Sequence, residues 1–340
     1  MIREGIGAIV MAFALGTAAE AELIVLAAPG SDDSYYADVA DDIFDFHVDY
    51  ARRILEAGDD VIILADPGFA PDYASALGAQ HVSTRPQLDI WARDFGTVNP
   101  ERPLMFRYTA AGQGGGRSGQ RDADAVQDVL AVTTDQARFG LLETDLLNDG
   151  GNYVDDGFGR AVLSRKFLRD NRLSESGART ALKELLGLDH VAFIESDEQG
   201  GLEHADGVVA FIDENTLIVN SYPEDPRYEA DLEADLRAGL PGVTIHRIVT
   251  PYDGSQIYDE RFGSACGLYT NALVTPNRIY LPQFGIPEDA QALQQVQALT
   301  RKTVVPVPSG QVCHMGGGVR CMSWQLRGQS ASKVAAVLRR

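Results

Sequence analysis

GVVAFIDENTLIVNSYPEDPRYEADLEADLRAGLPGVTIHRIV, residues 207–249, holds one complete structural unit in a single run. Residues 208–211 and 216–219 are rich in β-formers and flank Asp213-Glu214-Asn215, a turn signal, so they read as a hairpin. Pro226 stands where a helix can begin and Gly242 just beyond where it must end, which predicts a helix over 228–240. The apolar stretch 243–249 then closes the unit as a third strand. The order is strand, strand, helix, strand.

The same order recurs along the chain. A second copy has strands at 268–274 and 278–281 around Pro276-Asn277, a helix over 288–300 and a strand at 303–307. A third has 153–165 as a hairpin turning at Asp156-Gly157, a helix at 175–186 and a strand at 190–194. A looser fourth uses 96–108, a helix within 123–139, and 140–142. Residues 111–120, with five glycines, read as loop. The fifth is divided between the chain ends: strands 321–325 and 23–28, a helix over 35–57 and a strand at 61–65. Repetition at about 55–62 residues marks one supersecondary unit that buries its apolar face only against neighbours. A unit split between the ends predicts a closed ring of five ββαβ blades. Ordinary α/β alternation in a doubly wound sheet is the alternative, but it would show single strands where hairpins recur here.

Composition narrows the function. A formal charge of −20 and a pI near 4.6 speak against nucleic acid, which is bound through Lys and Arg on phosphates. They suit a cationic substrate drawn in by a negative field, and equally suit simple solubility. Three cysteines, Cys266, Cys313 and Cys321, are too few for a disulfide framework. None forms a CxxC pair, and the six histidines are scattered, so no metal site is expected. No acidic run has EF-hand spacing, so no calcium requirement is expected either. Arg3, the apolar run 6–15 and Ala19-Glu20-Ala21 read together as an export signal over residues 1–21. The protein is then expected to be periplasmic or secreted, with 22–340 as one domain. A buried first strand is the alternative, which would leave the protein cytoplasmic. No stretch is long enough to span a membrane.

The chemistry-bearing residues fall at corresponding points of the units. Trp91-Ala92-Arg93-Asp94 precedes one hairpin, Asp149-Gly150-Gly151-Asn152 the next, and His204-Ala205-Asp206 the third. Asn271 lies in the first strand of the fourth, and Gly316-Gly317-Gly318-Val319-Arg320-Cys321 leads into the strand that closes the ring. In a ring these points converge on the axis. Singly, each is weak. A lone cysteine is usually a small buried hydrophobe, a His-x-Asp pair on a strand shares a face by chance, and three glycines can simply make a turn. Together they suit one reaction. Two aspartates bind a planar guanidinium bidentately. Its carbon is a poor electrophile and needs a thiolate, whose pKa a bound cation and a nearby imidazolium would lower. His204 can protonate departing ammonia and then deprotonate water. No cofactor is required.

The ordered motifs Trp-x-Arg-Asp-x-Gly (Trp91 to Gly96), Gly-Gly-Asn (Gly150 to Asn152), His-x-Asp (His204 to Asp206), Leu-Pro-Gln-Phe-Gly (Leu281 to Gly285) and Gly-Gly-Gly-x-x-Cys (Gly316 to Cys321) resemble the agmatine deiminase and bacterial-type peptidylarginine deiminase family. The resemblance runs from about Asp89 to Gln325. It implies the pentein fold, a five-bladed ββαβ propeller. It also implies Cys321 as nucleophile, His204 as acid and base, Asp94 and Asp206 as guanidinium carboxylates, and Trp91 and Asn271 in the substrate pocket. Asp149, Gly151, Asn152, Gly317 and Gly318 would be supporting residues. Two departures stand out. Arg320 occupies the position before the nucleophile, where the family usually has histidine. Tyr108-Thr109-Ala110-Ala111-Gly112 stands where agmatine deiminases typically have Asn-x-Trp-Gly. The expectation is therefore a deiminase of peptidyl-arginine or a related arginine compound, with agmatine as the alternative substrate. An amidinotransferase, or a non-catalytic binder of an arginine-like ligand, comes third. Arg107, Arg117 and Arg121 are candidates for a substrate carboxylate, or else solvated surface residues. A homodimer is carried as an expectation.

Overall fold

The computed structural model describes residues 21–86, 89–197 and 201–340. The export-signal reading of 1–21 falls almost wholly outside them. Among the described residues there are five separate small sheets, and each repeats one plan. In the unit that begins at Gly207, strand Val209–Asp213 pairs antiparallel with Thr216–Asn220, which pairs parallel with Thr244–Ile248. The same anti-then-parallel order links Leu273–Val274, Arg278–Gln283 and Thr303–Pro308. It links Val154–Asp155, Arg160–Ser164 and His190–Ile194 as well. Leu104–Arg107 pairs parallel with Leu142–Leu147, its antiparallel partner reduced to a bridge between Val98 and Leu104. In the split unit, Leu23–Ala27 lies between Trp324–Leu326, antiparallel, and Asp60–Ala65, parallel. This is the recurring ββαβ order read from the repeats, in a mixed α/β chain.

Local chemistry explains the boundaries that matched. Helix Pro226–Gly239 has Pro at its start, and the Asp225 side chain accepts from Tyr228 N at 3.0 Å. Helix Glu175–Leu186 is capped by Ser174, which accepts from Gly177 N, and ends at left-handed Gly187. Both are standard start and stop chemistry.

Several expectations need correction. The glycine-rich 111–120 is not all loop, because a helix runs from Gly116 to Ala137. Its buried residues include Gly119, Ala123, Val126 and Leu130, so tertiary burial overrides the poor helix propensity of glycine. The strand expected over 268–274 is only Leu273–Val274, and Cys321 lies in a turn ahead of Trp324–Leu326. His204 precedes the short helical turn Ala205–Gly207 and is not on a strand. Helix Ala70–Leu77, strand Val82–Thr84 and the terminal helix Gly328–Leu338 were not anticipated. Among the described residues no helix is long and apolar enough to cross a membrane.

Cys266 and Cys313 form a single disulfide across 47 residues of chain, a pairing that the count of cysteines did not indicate. Three cysteines forbid a framework but not a single staple, and sequence spacing cannot reveal which residues the fold brings together. The bridge ties the Ser264–Ala265 wall to the turn Cys313–Met315, and Ala265 N donates to Cys313 O at 2.9 Å. Replacing both cysteines with serine is expected to cost about 2–4 kcal/mol of stability. Urea denaturation of oxidised wild type against the double variant, with and without reductant, measures it. An unchanged midpoint would contradict the expectation.

Candidate active site

Four segments from different units bring their side chains to one place. The helical turn Ala92–Phe95 carries Asp94, the turn Gly150–Asn152 follows Asp149, the turn Ala205–Gly207 is flanked by His204 and carries Asp206, and the glycine run ends on Cys321. Cys321 is 6 % exposed and is the free cysteine among the described residues. Its Sγ accepts from Asn271 Nδ2 at 2.9 Å and lies 3.7 Å from Asp206 Oδ2. His204 Nε2 is 3.1 Å from Asp149 Oδ2, and its Nδ1 is 3.8 Å from Asp94 Oδ1. Asp94 Oδ1 accepts from Gly151 N at 3.0 Å. Asp149 also accepts from Thr109, through N at 3.0 Å and Oγ1 at 2.9 Å.

Two glycines are required by space. A Cβ on Gly151 would stand 2.5 Å from His204 Nδ1 and 2.8 Å from Asp94 Oδ1. One on Gly317 would stand 2.4 Å from the Trp91 ring and 2.9 Å from Cys321 Cβ. At Gly318 the same atom meets only ordinary contacts. Asn152 stays out of the cluster. Its Oδ1 accepts from Ser164 N and its Nδ2 donates to Asn148, so it staples the turn to the neighbouring strand.

The electrostatics follow from burying so many acids together. Burial, above all, lifts the Asp94 carboxyl to about 7; His204 pulls it down and Asp149 and Asp206 push it up. Burial opposes charge on His204, but Asp94, Asp149 and Asp206 outweigh it and hold the imidazole near 9. Burial also works against Asp149, yet the hydrogen bond and charge of His204 keep its carboxyl below the usual range. The Cys321 thiol is pushed well up, first by burial and then by Asp206 and Asp94. In the resting site at neutral pH, therefore, the imidazole is charged and the thiol protonated.

Cys321 and His204 stand where two chambers meet. One, of about 250 Å³, is lined by Trp91, Asp94, Tyr108, Asp33, Asp89 and Arg261. The other, of about 340 Å³, is lined by Asp206, Asn271, Ser221, Tyr222 and Tyr252. Arg107 pairs with Asp124, Arg121 bonds Ser118, and neither they nor Arg117 line a chamber, so the three are not carboxylate receptors there. Asp89 was missed, although it stands two residues before Trp91. Its carboxylate accepts from Tyr36 Oη and Gln113 Nε2 at the chamber wall. Among the described residues no three His, Cys, Asp or Glu are grouped to hold a metal ion.

Comparison with known proteins bears on the fold and the family. A Lactococcus lactis protein assigned as an agmatine deiminase is 26% identical over 211 residues; the match spans 53% of this chain and 57% of that protein's length. The structure of a C. jejuni agmatine deiminase superposes with a TM-score of 0.73 at 19% identity, covering 91% of this chain and 94% of that one. An Enterococcus faecalis agmatine deiminase gives 0.74 at 18%, with the same coverage. These likenesses establish the shared fold. The family model described as Porphyromonas-type peptidyl-arginine deiminase matches residues 16–326, a stretch that takes in every residue from Trp91 to Cys321 named above, and the chain belongs to that family.

Proposed function

We propose that the chain is a guanidine deiminase, a C–N hydrolase, whose substrate is a guanidinium carried on a tail with a cationic far end, as in agmatine. The observation that carries the reaction is the meeting of Cys321, an imidazolium and two carboxylates at the junction of the chambers. Asp94 and Asp206 hold the guanidinium over the sulfur and offset its charge. The arriving cation favours the thiolate that the empty site suppresses, and the thiol proton passes to solvent because the imidazole is already protonated. Sulfur attacks the guanidinium carbon and a C–S bond forms. His204 gives its proton to the departing nitrogen, which leaves as ammonia, and a thiouronium remains. The neutral imidazole then takes a proton from water, the hydroxide adds to the same carbon, the C–S bond breaks and the ureido product leaves.

Two observations favour a cationic tail. The chamber lined by Asp94 also carries Asp33 and Asp89, and its one lining arginine, Arg261, is paired with Asp259. A free α-carboxylate would meet net negative charge there. The relatives assigned as agmatine deiminases point the same way. An internal arginine of a peptide is the second reading, favoured by the second chamber, which opens beside exposed Tyr252. Ammonia and ureido-product formation from agmatine, free arginine and peptides with internal or C-terminal arginine decides between them. Agmatine is expected to give the highest kcat/KM; a preference for the peptides would shift the reading to them, and no ammonia from any would overturn the deiminase.

The same assignments fix the pH dependence. Asp94 must be ionised to hold the cation, so kcat/KM falls as pH drops through about 7. His204 must be protonated to release ammonia, so activity falls as pH rises through about 9. The expected profile is a bell with its plateau between these limbs. A profile flat from about pH 6 to about pH 10 would contradict both roles.

A further inference from the structure

Asp206 stands in a crowded place for an anion. Asp94, Asp149 and Cys321 are buried with it, and Asp206 itself is 1 % exposed. Acidic groups this close oppose one another's charge. A carboxylate that is to receive a guanidinium must also keep one orientation while no substrate is present, or binding must first order it.

Arg320 meets both demands. Its Nη1 donates to Asp206 Oδ2 at 2.7 Å and its Nη2 to the Tyr153 carbonyl at 2.6 Å. Its backbone N donates to Asn271 Oδ1 at 3.2 Å, the same asparagine whose Nδ2 reaches the thiol. Arg320 lines neither chamber that holds Cys321. It lines a separate cavity of about 40 Å³ with Arg93, Tyr153, Asp155 and Gln325, and that cavity shares none of its lining with them. Asp206 thus lines the second chamber, while Arg320, which holds the same Oδ2 that lies 3.7 Å from Cys321 Sγ, lines neither chamber. The arginine that departs from the family pattern before the nucleophile reaches Asp206 from outside both chambers.

We propose that Arg320 is a positioning residue, which from outside the chambers fixes Asp206 for the substrate guanidinium and offsets part of the negative charge around Cys321. The proposal rests on the deiminase reading above. A planar, permanently charged fork suits the task, because it donates in two directions at once. One arm fixes the carboxylate, and the other fixes the arginine to the backbone of a neighbouring unit. Lysine keeps the charge but not the fork. Methionine keeps neither.

The test uses the full-length chain with agmatine. Arg320→Met is expected to lower kcat/KM by about 10²-fold, most of it as a rise in KM with kcat much less affected. Arg320→Lys is expected to recover part of that loss. Binding is measured separately by calorimetry in the Cys321→Ala background, which needs no turnover. There, Arg320→Met should weaken agmatine binding, but have little further effect once Asp206→Asn is present. Should Arg320→Met fail a thermal-melt check for folding, Arg320→Lys takes its place in the same cycle. An unchanged KM in a folded Arg320 variant, or additive losses with Asp206→Asn, would overturn this positioning role. Absence of turnover by the wild type would instead sink the deiminase reading, and the two failures are distinguishable.

Discussion

Cys321→Ala is expected to reduce ammonia release from the preferred substrate by roughly 10⁴- to 10⁶-fold while leaving the guanidinium bound. Cys321 is the free cysteine of the described chain, its Sγ lies 3.7 Å from Asp206 Oδ2, and it lines one chamber with Asp94. Removing Sγ removes the atom that must bond to carbon, and no neighbour can replace it: Asn271 is not a nucleophile, and the acids are needed for the cation. Removing the thiol also takes away a group that Asp206 and Asp94 disfavour as an anion. Affinity for the cation should therefore hold, or rise slightly. Steady-state kinetics together with calorimetry on the variant check both halves. Activity within about 100-fold of wild type would rule Cys321 out as the nucleophile.

Asp149→Asn is expected to lower kcat by roughly 10²- to 10⁴-fold with a small change in KM. Asp149 Oδ2 faces His204 Nε2 at 3.1 Å, and the carboxylate is itself fixed by two donors from Thr109. It can therefore orient the imidazole and stabilise its charged form without touching the guanidinium. An amide at this position loses the anion, and can present a donor where an acceptor is needed. Since Asp149 is one of the charges that lift His204, the basic limb of the pH profile should move below about 9 in the variant. A loss expressed mainly in KM, or a basic limb that stays in place, would show that Asp149 supports the loop and not the histidine.

The units were legible because their signals are local. Turn residues, helix starts and short apolar runs each announce themselves within a few positions, as Asp213-Glu214-Asn215 and Pro226 did. The convergence of Trp91, Asp94, His204, Asp206, Asn271 and Cys321 followed from their equivalent places in the repeat. What escaped depends on partners distant in sequence. Asp149 read as loop support until the fold placed it against His204. Arg320 read only as a departure from the usual histidine until the fold placed its side chain outside the chambers and on Asp206. Cys266 and Cys313 carried no spacing that pairs them, and Gly116–Ala137 hid a helix behind glycines whose cost is offset by burial.

The strand shared between the two ends has a consequence for how the protein is made. Leu23–Ala27 must wait for Trp324–Leu326, and the buried Glu22 beside it takes its hydrogen bonds from Gln325 and Arg327. A chain still being synthesised can thus assemble the interior units while its first strand stays half-paired and its nucleophile does not yet exist. Such distant pairings slow folding and prolong the exposure of apolar strand edges. Residues 321–326 bring both the reactive sulfur and the closing strand, so a nascent chain cut short of residue 321 has neither.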